Sequence, residues 1–386
     1  MTRSVGALYL HVPFCKQKCL YCDFASTTTR VGSPRMGLYV EGLVRELAML
    51  SERGLLRDCH TVYIGGGTPT FLGADLLCRL ISRAREACTR VEELTFEANP
   101  DSLTDEVIQG ARQAGATRVS IGVQSLCDAE LKSLGRVHTA AQAAERVRAA
   151  VASGMDVSVD LMCAIPQQTD ESWIATLASV LDLGVCHVSV YPLAIEPETP
   201  FGRAYGDEVQ SWNDEDVQAR RMERAREVLE SAGFERYEVA SYARAGHDCK
   251  HNQAYWTGIT YLGLGDGASS MLERDHYLEL AETLDRLPPL PEDTVRIRLS
   301  RGKSLAYEFI NERQAWAEDL MLGMRMVRGV DISRVPAPVV ADLAKRGLVA
   351  LEGGRMKPTH DGWLLGNELY GTLWDLAGDP VVEGTV

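Results

Sequence analysis

The sequence predicts an α/β fold with parallel strands. Three observations predict it: short apolar runs alternate with helical stretches, glycines stand between helix and next strand, and polar residues gather where strands end. The runs are Ala7–Val12, Thr61–Gly65, Glu93–Glu97, Arg118–Val123, Asp156–Leu161 and His187–Tyr191. Between them apolar residues recur at i, i+3, i+4 spacing, as in Tyr39–Leu50 and Ser172–Leu181, the mark of helices with one buried face. Strict alternation implies right-handed crossovers and parallel strands, in a barrel or an open sheet. Gly115, Gly154, Gly184 and Gly233 occupy the positions of helix C-caps. Six such units fall short of an eight-stranded barrel.

In these folds chemistry collects at the carboxyl ends of the strands. After the first run come Cys15, Cys19 and Cys22, spaced C-x3-C-x2-C. Clustered thiols indicate a soft-metal site. A four-iron cluster normally takes four cysteines, so three thiolates leave one iron open to a small molecule. Two plainer readings compete: a zinc site completed by His11, and chance clustering of core cysteines. After the second run, Gly65-Gly-Gly-Thr-Pro69 lets backbone approach a ligand closely, or simply makes a tight turn. Glu97 ends the third run, Gln124 follows the fourth and Asp160 lies near the end of the fifth. Singly, each could be satisfying loop backbone; together they make one site.

Beyond the sixth run, Pro197–Gly202 reads as a loop and Asp214–Gly233 as a charged helix. His251-Asn-Gln-Ala-Tyr-Trp256 and the glycine-rich Tyr261–Ser270 follow, and near Pro288 the texture changes. Glu312–Arg328 and Val339–Arg346 read as helices. Leu348–Leu351 and Arg355–Pro358 pair as a hairpin across Glu352-Gly-Gly354, before a last helix at Thr359–Leu373. That order suggests a small helical, winged-helix-like C-terminal domain. The expected division is 1–235, 236–287 and 288–386.

Composition narrows the partners. Across 386 residues the formal charge is −14, which disfavours nucleic acid. No apolar stretch approaches the roughly 18 residues of a membrane span, and the start Met1–Gly6 reads as lacking the apolar h-region of a signal peptide. Ten cysteines in a chain of this length suggest reduced thiols and hence the cytoplasm. Cys59, Cys78, Cys88, Cys127, Cys163, Cys186 and Cys249 show no ligand spacing and read as ordinary thiols.

The stretch from His11 to Phe24 resembles the cluster loop of the radical S-adenosylmethionine (SAM) superfamily, in the branch of the HemW heme chaperones and the coproporphyrinogen dehydrogenases. The resemblance implies a partial (β/α)6 barrel. It also implies a [4Fe-4S] cluster on Cys15, Cys19 and Cys22, with SAM chelating the open iron through its amino and carboxylate groups and being cleaved after electron transfer. By the same resemblance Gly66, Gly67 and Thr68 line the methionyl end, and Glu97 accepts from the amino group. Gln124, Arg136 and Asp160 face the carboxylate and ribose side, and Tyr9 neighbours the cofactor. A carboxylate such as Asp160 suits two ribose hydroxyls. Ser120–Ser125 and Leu134–His138 match the corresponding segments.

Three features resemble the heme-chaperone subfamily more than the dehydrogenases. Phe24 stands where the dehydrogenases carry a further cysteine, the lead before Cys15 is short, and His251–Trp256 matches an H-N-x-x-Y-W motif. An imidazole can ligate heme iron, with Tyr255 and Trp256 as flat apolar surface. From these six residues alone, a histidine packed in an aromatic cluster is the plainer reading of His251. The resemblance implies heme, a heme-acceptor apo-protein and an electron donor as partners. Alternatives are an oxygen-independent coproporphyrinogen III dehydrogenase and a SAM-dependent methyltransferase or heme-degrading relative.

Overall fold

The pleat of six strands separates two environments. They are β1 (Ala7–Val12), β2 (Thr61–Gly66), β3 (Glu93–Ala98), β4 (Arg118–Gln124), β5 (Asp156–Cys163) and β6 (His187–Pro192). One set of alternating residues is apolar and fully buried, as with Leu8, Leu10, Val62, Ile64, Val119, Ile121, Val159 and Val188. These pack against crossover helices such as Pro34–Glu52, whose buried face is Met36, Val40, Leu43, Leu47 and Leu50. The other set is polar, with Tyr9, Tyr63, Glu97, Ser120, Asp160 and Ser189 facing a cavity. Parallel strands covered on both faces are usually apolar throughout. The polar alternation therefore reserves the concave face for a ligand.

The computed structural model describes residues 4–206, 208–282 and 287–386; the first residues of the Met1–Gly6 lead lie outside these. The six strands pair in sequence order, all parallel. Their sheet does not close. It continues from β1 through a parallel strand, Tyr261–Leu264, and then through Ser269–Glu273, Thr294–Arg301, Leu305–Asn311 and Val382–Thr385, all antiparallel. From β6 it continues through Ser241–Ala243 and Glu235–Arg236. The partial six-unit barrel is thus the centre of a 13-stranded open sheet. Gly115, Gly154, Gly184 and Gly233 all have positive φ, as helix ends before a strand require.

After the texture change near Pro288, the hairpin Thr294–Asn311 still belongs to the main sheet. A second core, built around Leu320, Met324, Leu343, Met356, Leu369 and Leu373, lies beyond it. Its sheet orders Val330–Asp331, Arg355–Pro358 and Val349–Glu352, so the expected hairpin gains a third strand beside the helices. Three local expectations are corrected. Pro197–Gly202 is partly helical, because the Thr199 side chain accepts from Gly202 N and starts a helix at Pro200. The helix from Glu312 stops at Gly323, not Arg328, since Val327 N donates to Tyr237 O and Met326 bridges Glu238. The last helix breaks at Leu365 into His360–Leu364 and Gly366–Trp374.

Candidate functional site

One cavity of about 620 Å³ fills the concave face, within the range that takes a cofactor-sized ligand. Tyr9, Cys15, Cys19, Cys22, Gly66 and Gly67 line it. So do Thr68, Glu97, Gln124, Arg136, Asp160 and His251, which brings every sequence-predicted site residue to one space.

The cysteine loop is held at both ends. Phe14–Cys15 pairs in parallel with Thr27–Thr28, Leu20 N donates to Leu134 O, and Phe201 N donates to Leu20 O. All three thiols are free. The three sulfurs are not all within 4.8 Å of one another. His11 is not a fourth ligand: Nδ1 is 3.1 Å from the Tyr9 hydroxyl and Nε2 is 2.7 Å from Ala25 O. With both ring nitrogens engaged, His11 does not complete a zinc site with the three thiols in this arrangement.

The glycine run is shaped by close approach. Gly66 has φ of 115°, and a Cβ on Gly67 would stand 2.9 Å from Cys15 Sγ and 2.8 Å from Phe14 O. Thr68 Oγ1 donates to Cys15 Sγ at 3.6 Å and accepts from Asn99 Nδ2 at 3.0 Å. Asn99 Oδ1 in turn accepts from Arg136 Nη2 at 2.7 Å. Arg136 also donates to Gly122 O at 2.6 Å and to Cys19 Sγ at 3.4 Å. Asn99 thereby joins the predicted residues, and its position just past Glu97 at a strand end is the signal for it in the sequence. Gln124 takes φ of 64° at a register break after Gly122, a strained conformation of the kind found at ligand sites.

Two carboxylates lie deeper. Glu97 accepts from Tyr63 OH at 3.0 Å and from Gly66 N at 3.1 Å. Burial, and then the Asp160 charge, push its pKa up to about 7. Asp160 accepts from Ser120 Oγ at 3.1 Å and rises to about 6, chiefly through burial. A cationic ligand between them would restore both charges.

His251 belongs to the opposite end. It sits on the helix Lys250–Trp256, which caps the amino-terminal ends of the strands. Glu93 at the start of β3 accepts from Lys250 N and His251 N at 2.9 and 3.0 Å, anchoring the positive end of this helix. His251 Nδ1 is 3.0 Å from Thr61 Oγ1 at the start of β2, and Nε2 is 3.0 Å from the Tyr255 hydroxyl. The ring stacks on Tyr63 with centroids 5.1 Å apart. Trp256 points elsewhere, with the Arg325 guanidinium 5.0 Å over its ring and 4.7 Å over that of Tyr370. His251, Asn252 and Tyr255 thus line the floor of the cavity, and the cysteine loop forms its mouth.

Comparison with known proteins agrees with this architecture. Residues 9–180 match the family model of the radical SAM superfamily. The heme chaperone HemW of Lactococcus lactis is 30% identical over 96% of this chain and 97% of its own length. The protein of that name from Mycobacterium tuberculosis is 32% identical over 95% and 94%. The coproporphyrinogen III oxidase HemN of Escherichia coli, a radical SAM enzyme, superposes with a TM-score of 0.74 over 97% of this chain and 90% of that one; at 20% identity this is a likeness of fold. With full-length similarity to the chaperones and a cysteine loop, glycine run and strand-end carboxylates around one cavity, the chain belongs to the HemW heme-chaperone family of the radical SAM superfamily.

Proposed function

We propose that this protein is a heme chaperone that carries a [4Fe-4S] cluster with exchangeable SAM and passes heme to acceptor apo-proteins. The observation that supports the reading is a loop offering three free thiols, opening on a cavity lined by polar groups suited to an amino-acid cofactor. Full-length relatives named heme chaperones support the cargo. Cys15, Cys19 and Cys22 are the proposed cluster ligands. Gly66, Gly67 and Thr68 leave room beside Cys15 for the methionyl end of SAM. Glu97 is its ammonium acceptor, Arg136 and Gln124 face its carboxylate, and Asp160 and Tyr9 face the nucleoside. When bound, the cluster supplies electrons to SAM, so an electron donor is part of the proposal.

His251 is the proposed heme ligand, and it fits on one condition. Both ring nitrogens are engaged, so Nε2 must first release the Tyr255 hydroxyl. The proposal includes a cytoplasmic location; among the described residues no helix is long and apolar enough to cross a membrane. It also keeps the division 1–235, 236–287 and 288–386, the last part holding the second core.

The test is anaerobic reconstitution followed by two assays. Heme titration should give a Soret band that transfers to an apo-acceptor, and coproporphyrinogen III should pass through unchanged. Conversion to protoporphyrinogen IX with no stable heme complex would replace this reading with the dehydrogenase.

A further inference from the structure

At the amino-terminal rim of the barrel, away from the cysteine loop, Asp156, Cys186 and His247 converge. One ligand atom from each lies within 4.8 Å of the other two. Asp156 is the first residue of β5, Cys186 immediately precedes β6, and His247 lies in the turn before the floor helix. Three separate segments meet here, so no spacing in the sequence reveals the group.

Its geometry is informative. His247 Nδ1 is 3.0 Å from Asp156 Oδ1, yet it is buried and makes no hydrogen bond. The two atoms stand at the distance of an ion pair, and the Cys186 sulfur lies within 4.8 Å of a ligand atom of each. The backbone fixes the arrangement. Arg244 N donates to Cys186 O at 2.9 Å, His247 N to Arg244 O at 3.0 Å, and Cys186 N to Val157 O at 3.2 Å. The buried Arg118 guanidinium donates to His247 O at 3.0 Å, supporting the histidine from behind. The His247 and Asp156 side chains remain 39% and 42% exposed, so an ion can arrive from solvent.

One thiolate, one imidazole and one carboxylate make a borderline-soft donor set. Magnesium and calcium prefer oxygen alone, whereas zinc accepts all three donors and leaves a fourth position for water. We propose that Asp156, Cys186 and His247 bind a zinc-class divalent cation that fastens the turn before the floor helix to β5 and β6. This site is independent of the cluster and of the proposed cargo.

The test uses the full chain with its cluster reconstituted, so that the loop cysteines are occupied. Zinc measured against a chromophoric chelator should show one equivalent per chain beyond the iron. Cys186→Ser and His247→Gln should keep the parental iron content and melting transition while binding zinc at least about tenfold more weakly. Cys249→Ser, a nearby buried thiol outside the group, should bind zinc as the parent does. Cobalt(II) should give thiolate charge-transfer absorbance that disappears in Cys186→Ser. If the parent takes up no zinc at micromolar free metal, or either ligand variant matches its affinity, or cobalt absorbance survives loss of Cys186, the site does not exist.

Discussion

The Tyr255 hydroxyl stands 3.0 Å from His251 Nε2, and the Thr61 hydroxyl stands 3.0 Å from Nδ1 on the other side. Burial pushes this imidazole down to about 3, so it is neutral wherever the protein is folded near physiological pH. A neutral imidazole is a ready iron ligand once one nitrogen is freed. Tyr255→Phe should therefore strengthen heme binding and sharpen the Soret band, while His251→Ala should weaken both. His251→Ala also leaves the buried Thr61 hydroxyl and the part-buried Tyr255 hydroxyl without that partner, costing about 1–3 kcal/mol in denaturant unfolding. Unaltered heme titrations in both variants would remove His251 as a ligand.

Single replacements of Cys15, Cys19 or Cys22 by Ala should each abolish the brown absorbance of reconstituted protein, while Cys78→Ala should not. Iron and sulfide content is the measurement. A full complement of four irons in any loop variant would contradict the ligand assignment.

Gly67→Ala tests the close approach at the mouth. The new methyl would meet Cys15 Sγ at 2.9 Å and Phe14 backbone at 2.8 Å, so the loop must move. We expect a stability loss of about 1–3 kcal/mol and poor cluster retention on anaerobic gel filtration. Gly371→Ala, where nothing lies within 4 Å, is the matched control.

If SAM binds as proposed, the two deep carboxylates should make its binding pH-dependent. Glu97 is raised from 4.5 to about 7 and Asp160 from 3.8 to about 6, so the folded, ligand-free chain holds more protons than the unfolded one. Their contribution to stability is complete below about pH 4 and is lost as pH rises through 6 and 7. A cationic ligand reverses that loss by favouring both charges. The upward shift in melting temperature caused by SAM should therefore be larger at pH 8 than at pH 6. Glu97→Gln should flatten the difference; an equal shift at both pH values in the parent would refute this role for the pair.

Much of this was legible in the sequence because parallel strands obey simple rules. Strand ends pointed to the cysteine loop, Gly66, Glu97, Gln124 and Asp160, and glycines with positive φ marked the helix ends. The hairpin Thr294–Asn311 was missed, although Ile297 and Leu299 alternate with Arg296 and Arg298. Those arginines pair with Glu318, Asp319 and Glu308, which hides a strand behind a charged texture. The end of the barrel that His251 occupies was not legible either. It is set by Glu93 and Thr61, some 160 and 190 positions away, through hydrogen bonds that a local motif does not announce.

The second core is tethered twice. The chain enters it from Leu305–Asn311 and, on leaving, returns through Val382–Thr385 to pair with that same strand. A module attached at a single point can swing; one stitched in at both its entry and its exit behaves as a brace. Force applied to it, whether by a docked acceptor or a tag fused after Val386, would be felt along the edge of the main sheet and, through Arg325 between Trp256 and Tyr370, at the helix beneath the cavity.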